Sequence, residues 1–272
     1  MDIEKCRRCL EDPICKNQVV EKCLPVPFFG DITKPNLKVV TIGLNPALNE
    51  FQTQATINPK SQRLAMLVDY GMISRVELRV ADIYEAKARR EKYFKNPERQ
   101  WHSYFEKMES VLTRVHPAWT YCMGSAAHLD LVACATKDRW SYLANGCQKA
   151  LISHCRKNFL HTLADLPSNT VLLCDGNRVN EEMQQLGLRL ELEDAADITN
   201  ENLPQNPPAT FWVGKLFYGD KTFPLRGWSL QASKMSAVWR ADLSRWIHST
   251  VFPKSAWPTL HALKPAAAAT SR

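Results

Sequence analysis

The chain has 272 residues, of which 45% are hydrophobic, so it can bury a substantial core in one large α/β domain or two small ones. Its 35 Lys and Arg against 28 Asp and Glu give a formal charge of +7, which favours an anionic partner, nucleic acid first, without requiring one. No apolar run approaches the roughly 20 residues of a membrane span, and the first residues do not resemble a signal peptide, so we expect a cytoplasmic protein without a membrane partner.

Residues 1–36 form a cysteine-rich segment with a candidate metal site. The chain has nine cysteines, an odd number, and without a secretory signal a disulfide framework is not expected. A first candidate is a tetrahedral zinc site made by Cys6, Cys9, Cys15 and Cys23. A second is a 4Fe-4S cluster bound by Cys6, Cys9, Cys134 and Cys147. Reduced cysteines without any metal are the third alternative.

A buried strand that ends in a turn follows this segment. Residues 38–42 are mostly apolar or β-branched, and Gly43-Leu44-Asn45-Pro46-Ala47 has the composition of a turn. Open α/β sheets bind ligands beyond the carboxyl ends of their strands. We therefore expect Asn45 to point into a crevice at the rim of a sheet.

The rest of the chain alternates between helix and strand patterns. Helices are predicted over 61–68, 76–94, 101–115, 140–163, 181–186 and 236–249, and strands over 128–135, 170–174, 188–193, 211–218 and 222–226. Residues 194–208 are predicted to be a loop, and 251–272 a flexible, Pro- and Ala-rich tail. For residues 37–250 the alternation predicts an α/β fold, a three-layer sandwich with a mostly parallel central sheet flanked by helices.

Three strand-end loops carry a family resemblance. They are Gly43 to Ala47, the strand that contains Asp130, and Gly227-Trp228-Ser229-Leu230-Gln231. In this order on an α/β pattern they resemble the uracil-DNA glycosylase superfamily, over roughly residues 26–250. The first loop is similar to the Gly-x-Asn-Pro turn of the mismatch-specific and single-strand-selective branches. The sequences from Gly43 to Phe51 and from His128 to Trp140 are also similar to a largely uncharacterised bacterial branch.

The resemblance implies a monofunctional DNA glycosylase that flips a base out of double- or single-stranded DNA and leaves an abasic site. Asn45 would orient the attacking water, although an amide is too weak a base to deprotonate it strongly. The histidine that commonly stabilises the leaving base is missing, so Ser229 or Gln231 would donate a weaker hydrogen bond. No lysine matches a Schiff-base position, which favours hydrolysis over a lyase reaction. The resemblance implies a monomer whose hydrolysis needs no cofactor.

The remaining site residues are also implied by the resemblance. The base would contact Gly43, Pro46, Ala47, Phe51, His128 and Asp130. Phe51 would stack on the flipped base, with core packing as the alternative. The DNA would contact Trp228, Leu230, Ser233 and Lys234, with Leu230 as the wedge and Lys234 at a phosphate.

Asp130 lies where many members of the superfamily read uracil with an asparagine. An ionised aspartate offers only acceptors, which complement the exocyclic amino group of cytosine. Ala47 replaces a tyrosine that packs against the pyrimidine 5-position in the strictest uracil enzymes. Together they favour a 5-substituted cytosine, hydroxymethylated or glucosylated as in modified phage DNA, and a role in anti-phage defence.

Two alternatives remain. Asp130 could be protonated or cap backbone amides, and the substrate would then be uracil or another deaminated base in base-excision repair. The chain could also be a non-catalytic nucleic-acid-binding protein with a structural metal.

Overall fold

The computed structural model of the chain describes residue 3 and residues 6–52, 64–95, 103–186, 189–198 and 209–252. The predicted carboxyl-terminal tail from residue 253 onward lies outside the described residues, as do residues 199–208 of the predicted loop. So do residues 61–63, with which the first predicted helix begins.

The described residues confirm the α/β class. The strands are β1 (Phe28–Phe29), β2 (Val39–Gly43), β3 (Ala126–Asp130), β4 (Val171–Asp175), β5 (Arg189–Ile198), β6 (Ala209–Tyr218) and β7 (Lys221–Trp228). The α-helices are α1 (Arg8–Glu11), α2 (Asn49–Gln52), α3 (Val80–Glu91), α4 (Ser103–Val115), α5 (Asn145–Asp165), α6 (Asn177–Gln185) and α7 (Ala237–Val251). Short 3₁₀ helices cover Leu67–Tyr70, Arg75–Glu77, Tyr93–Lys95, Trp140–Tyr142 and Ala232–Lys234. None of the helices in these ranges is both long and apolar enough to cross a membrane.

The described strands form one seven-stranded sheet in the order β1-β3-β2-β4-β7-β6-β5. The pairings β3–β2, β2–β4 and β4–β7 are parallel, whereas β1–β3, β7–β6 and β6–β5 are antiparallel. The prediction of a mostly parallel sheet was therefore wrong, and the sheet is mixed. The reason is a hairpin: Gly219-Asp220 joins β6 to β7, Gly219 has a φ of 60°, and so tight a turn requires antiparallel strands.

Helices pack against both faces of the sheet. Val40 and Ile42 of β2 belong to one hydrophobic cluster, which includes residues of α5 and α6. Val39, one position away, belongs to a second cluster with residues of α4 and α7. Successive side chains of a strand point to opposite faces, so these two clusters are the two sides of one sheet. This arrangement is compatible with a three-layer sandwich.

The cysteine-rich segment is part of the same fold. Phe28 and Phe29 pair with Leu129 and His128, so the segment supplies the edge strand β1. Cys9 and Cys15 lie in the hydrophobic cluster that contains α5. The described residues of this segment therefore contribute to the core of the α/β body.

Strand β5 also runs further than predicted. It continues from Asp194 to Ile198, where the sequence predicts a loop, and its register against β6 shifts between Leu192 and Asp194. A shift of this kind, a β-bulge, lets the pairing of β5 with β6 continue through a polar stretch of sequence.

Candidate functional site

A pocket of about 540 Å³ lies at the carboxyl ends of the parallel strands. Strands β3, β2 and β4 are neighbours and end at Asp130, Gly43 and Asp175. Gly43 is directly paired with Asp130 in the ladder. The predicted site residues that line the pocket are Gly43, Asn45, Pro46, Ala47, His128, Asp130, Gln231 and Ser233. Loops that are far apart in the sequence therefore meet here.

Asn45 is held in one orientation by Thr136. Its Nδ2 donates to Thr136 Oγ1 at 3.1 Å and to the Pro46 carbonyl at 3.4 Å. Thr136 in turn donates its own proton to the Asp138 carbonyl at 2.7 Å, so its oxygen can act only as an acceptor toward Asn45. Because the amide nitrogen is engaged, the amide oxygen is left to accept from a water or a ligand.

Asp130 stands at the end of its strand, not inside it as predicted. Its Oδ1 lies 3.3 Å from His128 Nε2, and His128 Nδ1 lies 2.7 Å from Thr41 Oγ1. Thr41 also hydrogen-bonds to the Tyr121 hydroxyl at 2.7 Å. A buried chain of hydrogen bonds therefore fixes the imidazole that faces Asp130. Burial raises the pKa of Asp130, and the charge of His128 opposes that rise.

Only glycine fits beside this pair. A Cβ added to Gly43 would lie 2.8 Å from Asp130 Oδ1 and 2.8 Å from His128 Nε2. The glycine of the turn therefore serves the close approach of two functional side chains.

Asp175 is a pocket residue that the sequence analysis missed. It is 2% exposed, and its Oδ1 accepts from Trp228 Nε1 at 2.6 Å and from the backbone N–H of Ala232 at 2.7 Å. Burial raises the pKa of Asp175 to about 6, and the hydrogen bonds from Ala232, Trp228 and Tyr104 oppose the rise. The sequence does contain a signal for Asp175. Asp175-Gly176-Asn177 is a polar turn after an apolar strand, like Gly43-Leu44-Asn45.

Two predicted ligand-contacting aromatics are core residues instead. Phe51 is fully buried in a hydrophobic cluster and does not line the pocket, so it offers no stacking face. Trp228 is also fully buried, and its indole is bound to Asp175. Other aromatic residues line the pocket. Phe29, Tyr104 and Phe105 surround His128, with ring centroids 5.6, 5.5 and 5.2 Å away. Phe29 and Phe105 are buried, whereas Tyr104 is half-buried.

The other residues of the second loop divide into structural and exposed positions. Ser229 accepts from the Thr210 backbone N–H at 2.9 Å through Oγ and does not line the pocket. Leu230 is half-buried and packs against a hydrophobic cluster, whereas Lys234 is exposed. Of this loop, Gln231 and Ser233 reach the pocket.

Two exposed cations at the pocket were not predicted. Lys137 and Arg139 line it, following directly on Thr136. Their charges suit phosphate groups, but no sequence pattern distinguishes them from other surface cations.

Three cysteines come together in the core beside the amino-terminal segment. The sulfurs of Cys9, Cys134 and Cys155 lie within 4.8 Å of one another, with 4.0 Å between Cys9 and Cys155. A tetrahedral zinc ion with Zn–S bonds of about 2.3 Å needs sulfurs about 3.8 Å apart, so this donor set could hold a metal. Neither predicted set is assembled as such: Cys155 joins the group, and Cys6, Cys15, Cys23 and Cys147 do not.

Arg75 places a positive charge against this cysteine group. Its side chain is 1% exposed and donates to the carbonyls of Cys6 at 3.0 Å and Cys23 at 2.7 Å, and to Cys134 Sγ at 3.9 Å. Within the described residues no carboxylate pairs with it. Hydrogen bonds from Cys155 and Cys9, together with the nearby guanidinium, hold the pKa of the Cys134 thiol well below its usual range. A buried cation of this kind favours thiolate, the form that binds metals.

Comparisons with known proteins found no relative of the chain. The chain matches no protein-family model. Neither a curated protein nor a solved structure is significantly similar to it. Function therefore has to be argued from the pocket itself.

Proposed function

We propose that the chain is a monofunctional DNA glycosylase of the uracil-DNA glycosylase type. The observation that carries the proposal is the convergence of Asn45, Asp130 and Gln231, from three distant parts of the sequence, on one pocket at the ends of parallel strands. This pocket offers a water-binding amide, a base-reading carboxylate and a hydrogen-bond donor, which are the groups that hydrolysis of an N-glycosidic bond requires.

Asn45 binds the attacking water. In the reaction the C1′–N bond breaks and the base leaves with its electron pair. Water adds a hydroxyl group to C1′, and its remaining proton ends on the departed base. The sugar passes through an oxocarbenium-like state, which nearby carboxylates stabilise. Because Thr136 holds the amide nitrogen of Asn45, the amide oxygen is fixed where a water can donate to it. The amide positions the water but removes its proton weakly, so stabilisation of the leaving base matters more.

Asp130 reads the flipped base. As a carboxylate, oriented by His128, it accepts from the exocyclic amino group of cytosine. Ala47 lines the pocket and presents only a methyl group, which leaves space for a 5-substituent. The substrate is therefore a hydroxymethyl- or glucosyl-hydroxymethylcytosine, and the role is defence against phages with such DNA.

A second substrate is favoured by the burial of Asp130. Burial raises the pKa of this carboxyl, and a protonated carboxyl offers one donor and one acceptor. That pattern matches uracil as an asparagine does, and the role would then be base-excision repair.

Gln231, Tyr104 and the exposed cations complete the site. Gln231 can donate to the departing base, while Ser229 holds its loop against β6. Tyr104 supplies the stacking face assigned to Phe51 in the sequence analysis. Lys137, Arg139 and Lys234 are exposed and suited to DNA phosphates.

The three-cysteine group would hold a zinc ion or an iron–sulfur cluster. The metal would tie the amino-terminal segment, through Cys9, to α5, through Cys155. It supplies cross-linking and takes no part in the hydrolysis.

The test is incubation of the protein with oligonucleotides that each carry one uracil, hypoxanthine, 5-hydroxymethylcytosine or glucosyl-hydroxymethylcytosine, single-stranded and paired. Abasic sites are then detected by alkaline cleavage. We expect strand breaks after alkali for the modified cytosines and none before alkali, because the enzyme is not a lyase. A protein that binds these DNAs but releases no base would instead be the non-catalytic nucleic-acid-binding protein.

A further inference from the structure

A second group of metal-binding side chains lies beside the three-cysteine group. A carboxylate oxygen of Asp12, the sulfur of Cys15 and a ring nitrogen of His154 lie within 4.8 Å of one another. None of the three lines the pocket. Asp12 follows α1 and His154 belongs to α5, so folding brings together residues that are 142 positions apart.

Backbone hydrogen bonds fix two of these groups next to each other. Asp12 Oδ1 accepts from the N–H of Ile14 at 2.7 Å, and the Asp12 carbonyl accepts from Cys15 N at 3.3 Å and Lys16 N at 2.8 Å. The turn from Asp12 to Lys16 therefore holds the Asp12 carboxylate close to the Cys15 thiol. His154 meets them from the helix, with Nε2 at 2.6 Å from Asp12 Oδ2.

The group is separate from the three-cysteine group and open on one side. The Cys15 thiol donates its proton to the Cys9 carbonyl at 3.4 Å, and its sulfur is not among the three that lie within 4.8 Å of one another in that group. Cys15 is fully buried, whereas the side chains of His154 and Asp12 are 26% and 17% exposed. The Cys15 sulfur is therefore the buried donor atom of the group, and the His154 nitrogen and Asp12 oxygen belong to partly exposed side chains.

This donor set selects the class of ion. Mg²⁺ and Ca²⁺ prefer oxygen ligands alone, whereas zinc takes imidazole nitrogen, thiolate sulfur and carboxylate oxygen together. We infer that Asp12, Cys15 and His154 bind one zinc-class divalent ion, with a fourth position open to water. On binding, the Cys15 thiol gives its proton to solvent, the proton shared by His154 Nε2 and Asp12 leaves to solvent or to Nδ1 of the same ring, and metal bonds replace the hydrogen bond between Asp12 and His154.

The rival account is an ion pair without a metal. Asp12 and His154 would then only attach the amino-terminal segment to α5, with Cys15 as a buried core thiol. The two accounts differ in the number of metal ions bound, and this difference holds whether or not the chain cleaves DNA.

Metal stoichiometry tests the inference. The full-length protein, freed of metal under reducing conditions, is titrated with Zn²⁺ in competition with a chromophoric chelator. Wild type should bind one more equivalent than Asp12→Asn, Cys15→Ser or His154→Ala, or bind that equivalent at least about tenfold more tightly. His161→Ala changes an exposed histidine of the same helix and should match wild type. Equal stoichiometry and affinity in wild type and all three variants would overturn the inference.

A measurement on unmodified protein keeps the test decisive if a variant does not fold. X-ray absorption of fully zinc-loaded wild type should show the outer-shell scattering of an imidazole ring as well as sulfur at about 2.3 Å, because His154 belongs to the proposed site and the three-cysteine group includes no histidine. Sulfur neighbours without imidazole scattering would place all bound zinc at the three-cysteine group and refute the second site.

Discussion

The Asp175 carboxylate accepts the indole proton of Trp228 at 2.6 Å, and this bond attaches the loop that follows β7 to the end of β4. The same oxygen accepts from Ala232, and the backbone N–H groups of Gly176 and Asn177 donate to the carbonyls of Trp228 and Ser229, each at 3.0 Å. The turn after β4 therefore fixes the position of the loop that carries Gln231 at the pocket.

Asp175→Asn should change how stability depends on pH. The folded-state pKa of about 6 lies above the unfolded value near 3.9, so the stabilisation from Asp175 is fully present below pH 4 and is lost as pH rises through 6. Two pKa units correspond to about 3 kcal/mol of unfolding free energy. Urea denaturation at pH 4.5 and pH 7 should show about 2 kcal/mol of this loss in wild type and not in the variant, because part of the stabilisation is already lost at pH 4.5. Asp165→Asn, at an exposed position of α5, is the control, and parallel profiles for Asp175→Asn and wild type would contradict the prediction.

Asp130→Asn should shift base preference. The amide restores one donor and one acceptor, so activity on modified cytosine should fall at least about tenfold while activity on uracil rises, since one base contact is worth about 1–3 kcal/mol of discrimination. Base preference is measured as the ratio of single-turnover rates on DNA that contains modified cytosine and on DNA that contains uracil. Asp138→Asn changes an exposed carboxylate at the same pocket and should leave the ratio unchanged. An Asp130→Asn ratio equal to that of wild type would sink the cytosine assignment.

Lys137→Ala combined with Arg139→Ala should weaken DNA binding in a salt-dependent way. Removing one cation that neutralises a phosphate of duplex DNA reduces the slope of log affinity against log salt by about 0.9. Since two cations are removed, the double variant should show a slope smaller by about 1.8. Arg156→Ala with Lys157→Ala removes the same charge from an exposed face of α5 and should leave the slope closer to that of wild type. If the slope decreased equally in both double variants, the effect would come from net charge and not from contacts at the pocket.

Arg75→Met should release metal from the three-cysteine group. Removal of the buried cation that faces Cys134 leaves the thiolate charge uncompensated, and we expect metal transfer to a chelator at least about tenfold faster. Arg8→Met removes an exposed arginine next to Cys9 and is the control. Identical release from wild type and Arg75→Met would show that the guanidinium only supports the backbone carbonyls it contacts.

Much of the pocket was predictable from residues at strand ends. Asn45 follows an apolar strand, and the carboxyl ends of parallel neighbours meet at one rim. Asp130 was expected at the pocket from the family resemblance but inside a strand over 128–135, and the structure has it as the last residue of β3. Asp175 carries the same signal and was overlooked, because its turn was interpreted only as the start of a helix. The antiparallel half of the sheet also had a signal, the two-residue turn Gly219-Asp220.

Other features depend on contacts that no local pattern encodes. Phe51 lies in the short helix α2 and Trp228 is the last residue of β7, and whether such a ring faces a ligand or the core is decided by tertiary packing. Cys155 joins Cys9 and Cys134 only because α5 packs beside α1. The spacing of the cysteines could not predict that choice over Cys147.

The most direct test of the central claim is the release of modified cytosine by wild type and by Asn45→Ala. Wild type should produce alkali-labile abasic sites from duplexes that contain glucosyl-hydroxymethylcytosine. Asn45→Ala should bind the same DNA equally well but react about 10²–10³-fold more slowly, as when an oriented catalytic amide is removed. Asn49→Ala changes an exposed amide of the same pocket, at the first position of α2, and should retain the wild-type rate. Base release by Asn45→Ala at the wild-type rate, or none by wild type from any DNA of the panel, would contradict the account.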